Sequence, residues 1–376
     1  MANTATTRPT ADGQQRLALI ERARHNVLQS RSEMASPWLS PPIERSWRRC
    51  LSMGLEPHRR VVFEEVGASG KRQIVERNQA LLEAATPVIG SLSRAMLHSR
   101  YFALLTDAQG VVIDVNGPVD RHNAQASSIA RVGVDLSEKA VGTTAIGTCL
   151  TEQEAVWLHR GEHFFEDNSV YSCAGAPIWG PDGNCVGMLD LTGINVQEQP
   201  ALKHLVTQSA RSIENAMTLS RPHKMLLRLN WPGRVLGDDN DGLIGVDGDG
   251  LVVAMNRPAS EMLGLMPGIG QTHCDDVFAV PSQQLFDAAS RQQSAFEAPL
   301  WSGLRLQVLA QTSKPATGRS RSCGTARHAV PLRDVETAMI RKAVEDARGN
   351  VMEAARTLGI SRATVYRRLN RAKSGN

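Results

Sequence analysis

Apolar residues at spacings of three and four predict helices in the first quarter of the chain. After a polar start of about 15 residues, which we expect to be disordered, four apolar residues share one helical face: Leu17, Ile20, Ala23 and Val27. The pair Pro41-Pro42 opens a second helix, and Gly54 ends it. Its inner face combines Ile43, Trp47, Cys50 and Leu51. A third amphipathic helix is predicted over residues 75–97.

Short apolar runs separated by turn sequences predict antiparallel strands next. The runs at 101–105 and 111–115 flank the sequence DAQG and predict a β-hairpin. A helix and a loop would lead to a strand over 155–158. The segment SCAGAPIWGPDGNCVGMLDLTG predicts a second hairpin with PDG as its turn, and with Gly187 and Gly193 at strand irregularities. A long helix from residue 197 to about 229 would close this unit.

A second unit begins near residue 234. Apolar runs at 243–246 and 251–255 flank the turn DGDG, and Asn256 begins a helix. The later sequence GLRLQVLAQ predicts a strand that ends the same sheet. A segment rich in serine, glycine and arginine follows and predicts a linker that adds loose contacts to phosphates.

The sequence GNVMEAARTLGISRATVYRRLNR near the end of the chain predicts two short helices joined by a tight turn. Gly359 breaks the first helix, and Ser361 caps a second one whose outer face is basic. Long cations beside small residues suit a helix that enters the major groove. A solvated basic helix is the alternative, but the small-residue turn favours DNA binding. The predicted DNA-binding residues are Asn350, Ser361, Arg362, Thr364, Tyr366, Arg367, Arg368 and Arg371.

The distribution of charge agrees with this prediction. Residues 331–376 hold ten lysines and arginines against five acidic residues, whereas the other 330 residues hold 32 against 33. The basic excess therefore belongs to the predicted DNA-binding end. There is no apolar signal segment at the start and no long apolar run, so we expect a cytoplasmic protein that spans no membrane. The six cysteines form no CxxC pair, which fits reduced thiols.

Three segments resemble one family of regulators. GNxxxAAxxLGISRxTxYRRL is similar to the Fis-type helix-turn-helix of bacterial enhancer-binding proteins. The pattern I-x-x-S-W-x-R-C-x-x-x-G-L-x-P resembles the opening of acetoin-catabolism-type regulators. The blocks GVDLSEKAVGTTAIGTCL and HRGEHFFEDNSVYSCAGAPI resemble the GAF domain of those regulators. The resemblance implies a ligand sensor joined to a DNA-binding domain.

We therefore expect an α+β multidomain protein. Its parts would be an N-terminal helical segment (1–75), a GAF sensor domain with an antiparallel sheet and helices (76–222), a PAS-like domain (223–310), a linker (311–330) and an all-α Fis-type helix-turn-helix (331–376). A typical family member also carries an AAA+ ATPase domain that activates the sigma-54 polymerase. Its phosphate loop is not found in this sequence, because the pair Gly70-Lys71 is followed by Arg72 and lacks the earlier glycine.

A GAF sheet covered by helices suits a small, mostly apolar ligand. The predicted pocket combines apolar surface with hydrogen-bonding groups, and core packing is the alternative for each residue: Thr143, Thr144, Trp157, His163, Phe164, Phe165 and Cys173. His159 and His163 have the spacing of a helical metal site, but Gly161 between them predicts a loop. We expect no metal and no cofactor. Cys173 has no recognisable catalytic partners and is expected to be a buried strand thiol, so the chain is not expected to be an enzyme.

The expected function is a ligand-responsive transcriptional regulator that binds double-stranded DNA at an inverted-repeat operator without ATP hydrolysis. A homodimer and contact with RNA polymerase are expected. Near-heptad residues of the 197–229 helix could form the dimer seam, or they could pack on their own sheet: Leu202, Leu205, Ser209, Ile213, Ala216 and Met217. An accessory nucleoid or co-regulatory protein, whose sensor-like domains serve as interaction surfaces, is the alternative function.

Overall fold

The computed structural model describes residues 11–30, 36–97, 99–265 and 272–312. The chain divides into two compact units, Met1–Ser313 and Lys314–Asn376. The second unit, with the predicted helix-turn-helix, lies outside the described residues. In the described part, no helix has the length and apolar character needed to cross a membrane.

The N-terminal segment consists of α1 (Ala11–Arg24), a π-helical turn (His25–Gln29) and α2 (Pro41–Ser52). The predicted faces are confirmed, since Ile20, Ala23, Trp47 and Cys50 are all buried. The disorder predicted as far as residue 15 is wrong from Ala11 onward, because α1 already begins there. Residues 1–10 lie outside the described part.

Five antiparallel strands form the first sheet, in the order β2-β1-β5-β4-β3. The strands are β1 (Tyr101–Asp107), β2 (Val112–Asn116), β3 (Val156–His159), β4 (Tyr171–Trp179) and β5 (Cys185–Ile194). Both predicted hairpins are confirmed. In the first, the Asp107 carboxylate accepts hydrogen bonds from the backbone N–H groups of Gln109 and Val111. The aspartate side chain thus stabilises the turn by accepting hydrogen bonds from the backbone of the turn itself.

The irregularity predicted at Gly187 is confirmed, and the one predicted at Gly193 is wrong. Gly193 pairs regularly with Tyr101 and Ser172. The register shift of the β4–β5 pair lies between Ile178 and Trp179, beside Gly187. A Cβ atom at Gly187 would lie 2.1 Å from the carbonyl oxygen of Thr106, so this glycine permits the close approach of two strands.

Helices cover both faces of this sheet. They are α3 (Ala68–Arg77), α4 (Gln79–Ala95), α5 (Ala124–Ile129), α6 (Glu138–Val141), α7 (Ala145–Glu152) and α8 (Leu202–Ser220). One face packs against α4 and α8, and the other against α1, α2 and the short helices α5 to α7. The single helix predicted over 75–97 is wrong, because α3 and α4 are separate helices that meet at Asn78.

The helix predicted from 197 to 229 is also wrong in its second half. Helix α8 ends at Ser220, and Arg221 has an extended backbone before Pro222. Proline lacks an amide hydrogen and disfavours helical geometry in the preceding residue, which explains the stop. The remaining residues form the strand β6 (Met225–Asn230).

Helix α8 also decides between the two alternatives for its apolar residues. Ser209, Ile213 and Met217 are buried within this chain, against the first sheet and α4, while Leu202 and Leu205 pack at the edge of the same core. The dimer-seam hypothesis is therefore wrong for the three buried residues, because their side chains are already covered.

A second antiparallel sheet has the strand order β8-β7-β6-β10-β9. It comprises β6, β7 (Gly242–Val246), β8 (Val252–Met255), β9 (Phe296–Pro299) and β10 (Arg305–Thr312), with helices α9 (Arg257–Leu263), α10 (Cys274–Val277) and α11 (Ser282–Ser290). The DGDG turn, the Asn256 cap of α9 and the terminal strand are confirmed. Strands β6 and β9 were not predicted.

Helix α8 connects the two sheets physically. Asn256 Nδ2 donates hydrogen bonds to Asn215 Oδ1 on α8 and to the carbonyl oxygen of Asp241, each at 2.8 Å. The backbone N–H of Met255 donates to the carbonyl of Pro181 in the β4–β5 turn. These buried bonds join the end of β8 to the first sheet and its long helix.

Candidate ligand site

A cavity of about 30 Å³ lies between the first sheet and the layer of short helices. This is room for about two water molecules. Its lining combines apolar side chains with several polar ones: Phe63, Leu104, Ile129, Leu136, Thr144, Ala145, Ile146, His163, Asn168, Tyr171, Cys173, Asp190 and Thr192. Strands β4 and β5 supply the cysteine, the aspartate and the second threonine, because alternate strand residues face the same side.

His163 lies in the loop that follows β3 and is almost completely buried. Its Nδ1 atom lies 2.8 Å from the carbonyl oxygen of Arg160. A carbonyl can only accept, so Nδ1 carries the hydrogen. Burial lowers the pKa of His163 to about 4, and the ring is therefore neutral at pH 7. Its Nε2 atom is left as an acceptor, and no described residue bonds to it.

Asn168 lies in a 3₁₀ turn, Glu166–Val170, and is also buried. Its Nδ2 atom donates to the carbonyl oxygen of Val141 at 3.1 Å. This bond fixes which end of the amide is nitrogen. The Oδ1 atom is consequently an acceptor, and it has no hydrogen-bond partner among the described residues.

Asp190 is a fully buried carboxyl group on β5. Its Oδ2 atom accepts a hydrogen bond from Thr192 Oγ1 at 2.5 Å, and Thr192 Oγ1 lies 3.3 Å from Cys173 Sγ. Burial raises the pKa of Asp190 to about 7, and the hydrogen bond from Thr192 lowers it only in part. The Oδ1 atom has no partner in the described part of the chain. Three side chains that line one cavity therefore each keep an unpaired polar atom.

The N-terminal segment holds the loop that carries His163. Arg24 Nη1 donates to the carbonyl oxygens of Gly161 and His163 at 2.9 and 2.6 Å, and Nη2 donates to that of Phe164 at 3.1 Å. Trp47 Nε1 donates to the carbonyl of Glu162 at 2.8 Å. Helices α1 and α2 thus fix the backbone on one side of the cavity, and we call this set of bonds the Arg24 clamp.

The predicted pocket residues divide into two groups. Thr144, His163 and Cys173 line the cavity, whereas Thr143, Trp157, Phe164 and Phe165 do not. For these four residues the core-packing alternative applies. Thr143 accepts a hydrogen bond from Ser46 Oγ at 2.7 Å, and Trp157 stacks on His159. Phe164 and Phe165 pack edge to face in the core, with ring centroids 5.2 Å apart.

Sequence reasoning missed three polar residues of the cavity, Asn168, Asp190 and Thr192. Asp190 did carry a signal, because it interrupts the apolar strand sequence VGMLDL. A charged residue in the middle of a buried strand needs a partner or a proton, and it marks a candidate site. Asn168 and Thr192 gave no comparable signal.

The remaining residues that the sequence singled out are His159, Cys173 and the predicted DNA-binding residues. His159 Nδ1 lies 2.8 Å from Ser172 Oγ, inside the wall of the sheet. Cys173 is a buried thiol in β4, as predicted, and burial raises its pKa well above the ordinary value. The predicted DNA-binding residues all lie outside the described part of the chain and stay predictions: Asn350, Ser361, Arg362, Thr364, Tyr366, Arg367, Arg368 and Arg371.

Two family models match the sequence. The model described as "Bacterial regulatory protein, Fis family" matches residues 331–371, and the model described as "MimR, N-terminal domain" matches residues 19–215. The first match confirms the predicted Fis-type segment. The second covers more than half of the chain and includes the whole of the cavity wall.

Curated relatives carry regulatory names. A signal-transduction and transcriptional-control protein of Clostridium beijerinckii is 29% identical over 227 residues, which are 59% of this chain and 35% of that protein. The acetoin catabolism regulatory protein of Cupriavidus necator is 29% identical over 248 residues, 61% of this chain and 37% of that protein. The matched part thus spans about a third of the length of each relative.

A crystal structure of the E. coli DhaR(N)–DhaL complex contains a similar chain. The sequence identity is 16% and the TM-score is 0.46, over 73% of this chain and all of that one. Together, the two family matches and the named relatives confirm the resemblance to acetoin-type regulators. The chain belongs to the family described as MimR, N-terminal domain, and it carries a Fis-family regulatory segment at residues 331–371.

Proposed function

We propose that this transcriptional regulator senses a small molecule in its first sheet domain and binds DNA through residues 331–376. The observation that carries the sensing part is the cavity beside Asp190, where three buried side chains keep unpaired polar atoms. Unpaired buried polar groups cost free energy, about 1–3 kcal/mol each, so they are expected at a site that a ligand completes.

The domain assignments are part of the proposal. The strand order of the first sheet and the helices on both faces support a GAF domain over residues 76–222. The second sheet, with three short helices, supports a PAS-like domain over 223–310. Residues 311–330 would be a linker, and 331–376 the helix-turn-helix.

DNA recognition would use a pair of Fis-type domains. A domain of about 45 residues buries little surface, so pairing with a second copy would stabilise it. Two recognition helices about 34 Å apart then fit an inverted-repeat operator. We propose that the homodimer contacts RNA polymerase that carries the housekeeping sigma factor, and that it regulates transcription without ATP hydrolysis. The protein would act in the cytoplasm and would not bind a membrane.

The test is a DNA-binding titration with the full chain. A labelled fragment from upstream of its own gene should bind at physiological salt far more tightly than a scrambled fragment of the same composition, by about 10³-fold or more. Weak binding that is equal for both fragments and strongly dependent on salt would favour the accessory nucleoid or co-regulatory alternative.

The response to a ligand needs a separate measurement. A thermal-shift screen of short alcohols, diols, ketones and amines identifies compounds that raise the unfolding midpoint, because a ligand of the folded state stabilises it. A compound that binds should then change operator affinity. If bound compounds leave operator affinity unchanged, the chain binds DNA but is not ligand-responsive.

A further inference from the structure

Two loops at one end of the second sheet expose large apolar side chains. The first loop, residues 231–237, follows β6, and the second, residues 300–304, joins β9 to β10. Four of their side chains are strongly exposed: Trp231 at 42%, Val235 at 87%, Trp301 at 69% and Leu304 at 51%. We call these four residues the two-loop patch. All six tryptophans of the chain lie in the described part, and the two that are exposed both belong to this patch.

Strand pairing places the two loops side by side. Gln307 of β10 lies opposite Asn230, the last residue of β6, so the first loop leaves the sheet where the second loop enters it. Neighbouring strands of a sheet lie about 4.8 Å apart. The exposed side chains of both loops therefore lie at the same end of the sheet, within reach of a single partner surface.

A buried carboxylate fixes the first loop at both ends. Asp241 accepts from Asn230 Nδ2 at 3.1 Å, and it accepts from the backbone N–H of Gly237 at 2.6 Å. The backbone N–H of Trp231 donates to Asn230 Oδ1 at 2.8 Å. The segment that carries Trp231 and Val235 is thus held in one conformation.

The second loop is fixed by its own backbone and by α10. The backbone N–H of Leu300 donates to the carbonyl oxygen of Leu304 at 2.8 Å. The indole N–H of Trp301 donates to the carbonyl oxygen of Asp275 at 2.7 Å, although the side chain remains exposed. Side chains that are already ordered lose little further conformational freedom when they bind, so a surface of this kind is well suited to association.

The apolar area of the patch is typical of an interface. A tryptophan side chain offers about 250 Å², so the two exposed indoles together present roughly 250 Å². With Val235 and Leu304, the patch reaches the range of about 300–600 Å² found for the largest, often functional, apolar patch of a monomer. A standard interface buries about 800 Å² on each partner, of which somewhat more than half is apolar. The two-loop patch is therefore large enough to form the centre of such an interface.

The charges around the patch are balanced. Arg234 and Arg305 are exposed in or beside the loops, and so are Asp238 and Glu297. Arg305 Nη1 also lies 3.9 Å from Glu297 Oε2. A surface that binds nucleic acid carries an excess of positive charge, whereas these charges cancel. The balance suits a partner surface of the same composition, since two copies of a balanced surface do not repel each other.

We propose that the two-loop patch is the surface through which two copies of this chain pair in solution. A two-fold axis brings the same surface of both copies together, so the apolar side chains of one copy cover those of the other. This inference rests on the proposed homodimer and specifies the surface that forms it. Ser209, Ile213 and Met217 of α8 are buried within their own chain, and the patch supplies the apolar contact that they do not.

Sedimentation velocity of the full chain over a range of concentrations tests the pairing surface. Trp231→Ser and Trp301→Ser should each raise the dissociation constant of the dimer at least about thirtyfold, because tryptophans at the centre of an interface carry much of its binding energy. The double variant should be monomeric where the unaltered chain is dimeric. Circular dichroism checks the fold of each variant.

Val235→Arg is a second variant that keeps the proposal testable if the tryptophan variants do not fold. Val235 is 87% exposed, so the fold tolerates a long charged side chain there, but the pairing surface does not. This variant should also weaken the dimer. Unchanged dissociation constants in Val235→Arg and in the folded tryptophan variants overturn the proposal.

Val62→Ser and Leu97→Ser are the matched controls. Both residues are exposed apolar side chains of the first domain, at 71% and 61%, and they lie outside the patch. The controls should leave the dissociation constant unchanged. If they weaken the dimer as much as the patch variants do, the effect is a general one of removing exposed apolar surface, and the assignment of the patch is wrong.

The dependence on salt checks the nature of the contact. Because the charges of the patch cancel, the dissociation constant of the dimer should change little between low and high salt. A dimer that dissociates readily in high salt would be held by charged groups elsewhere, which contradicts the proposal.

Parallel titration of DNA separates this inference from the proposed function. If the unaltered chain is dimeric and the patch variants are equally dimeric, the pairing surface is wrong and the homodimer stands. If the variants stay dimeric but lose operator affinity, the DNA-binding segment of the same chain occupies the patch, and the proposal is overturned. If the unaltered chain is monomeric at every concentration, the proposed homodimer itself fails.

Discussion

Asp190 is a charged residue among apolar neighbours, and this contrast marks the candidate ligand site. It sits among apolar residues of β5, and its only hydrogen-bond donor among the described residues is the hydroxyl of Thr192. A carboxylate removed from water without a cation is costly, so the group keeps its proton to a higher pH than in solution. The same burial that perturbs Asp190 therefore couples the stability of the fold to pH.

We expect Asp190→Asn to change the pH dependence of stability. The pKa of Asp190 rises from 3.8 in the unfolded reference to about 7 in the fold. The contribution of Asp190 to the free energy of unfolding is therefore fully present below pH 4 and is lost as the pH rises toward 7. Above pH 7 this contribution no longer changes with pH. Asparagine cannot ionise, so the variant does not lose this stability as the pH rises. The unfolding midpoint of Asp190→Asn minus that of the wild type should therefore be at least about 3 °C higher at pH 8 than at pH 5.

Thermal unfolding at the two pH values measures this difference. The exposed variant Glu83→Gln serves as the control for general effects of removing a carboxylate. If the midpoint difference between Asp190→Asn and the wild type is the same at both pH values, the perturbed ionisation of Asp190 is refuted.

At the scale of elements, the parts that could be predicted from the sequence are those set by local chemistry. The hairpins around DAQG and DGDG were predicted from the apolar runs that flank these turns, and in the structure the first aspartate of each turn accepts hydrogen bonds from the backbone that follows it. The boundaries that depend on tertiary context were missed. The end of α8 did carry a local signal, Pro222, which was missed, whereas the strand β6 that follows is fixed by its pairing with β7 and β10.

The candidate site was partly predictable for the same reason. His163 and Cys173 were recognised as polar groups within apolar segments, but their convergence with Asn168 and Asp190 depends on pairing of distant strands. The Arg24 clamp was not predictable, because its partners lie 137 to 140 residues away in sequence. The spacing in α1 places Arg24 on the inner face with Ile20 and Val27, but it does not identify the distant carbonyl oxygens that the guanidinium group binds.

The Arg24 clamp predicts that a substitution in α1 destabilises a distant loop. Arg24→Met keeps much of the aliphatic volume but leaves three carbonyl oxygens without their donor, which should cost about 2–4 kcal/mol. Urea unfolding measures the loss, and proteolysis should become faster within residues 160–165. Arg22→Met, an exposed arginine on the same helix, is the matched control and should change stability by less than about 1 kcal/mol. Equal effects of the two variants would contradict the clamp.

The Asn215–Asn256 hydrogen bond gives a second prediction at this scale. Single changes to alanine at each position, together with the double change, form a thermodynamic cycle. We expect a coupling energy of about 0.5–1.5 kcal/mol, since the bond is buried and 2.8 Å long. Denaturant unfolding of the four proteins gives the value. A coupling near zero would mean that α8 and the second sheet are stabilised independently.

The whole molecule joins a nearly neutral region of 330 residues to a basic end. The charge excess of residues 331–376 provides the electrostatic attraction to DNA, and the remaining 330 residues have almost no net charge. Binding to phosphates therefore depends on a small fraction of the chain. Any response to a ligand must act through the geometry or pairing of that fraction.

Arg362→Ala and Arg367→Ala test the assignment of the recognition helix. Each should reduce operator affinity by about 1–3 kcal/mol, because a long cation at these positions pairs with a guanine edge or a phosphate. Gel-shift titration measures the loss, and circular dichroism checks the fold. Lys139→Ala, at an exposed position of the first domain, should leave operator affinity unchanged. Unaltered affinity in both arginine variants would show that another face reads the DNA.

A fragment of residues 312–376 tests whether the larger part of the chain organises DNA binding. We expect the fragment to bind the operator more weakly than the full chain, because a domain this small would pair weakly once it is separated from the rest of the proposed dimer. Footprinting and light scattering compare the two proteins. A monomeric fragment that binds as tightly as the full chain would exclude this role.

The Arg24 clamp also has a consequence for the order of events on the ribosome. Helices α1 and α2 are synthesised before the loop that they hold, which emerges about 140 residues after Arg24, on the order of ten seconds later at ordinary elongation rates. During that interval the indole of Trp47 and the apolar face of α1 have no native surface to cover them. The N-terminal segment is therefore expected to dock last, after the sheet has formed, and to be the natural place for a chaperone to act on the nascent chain.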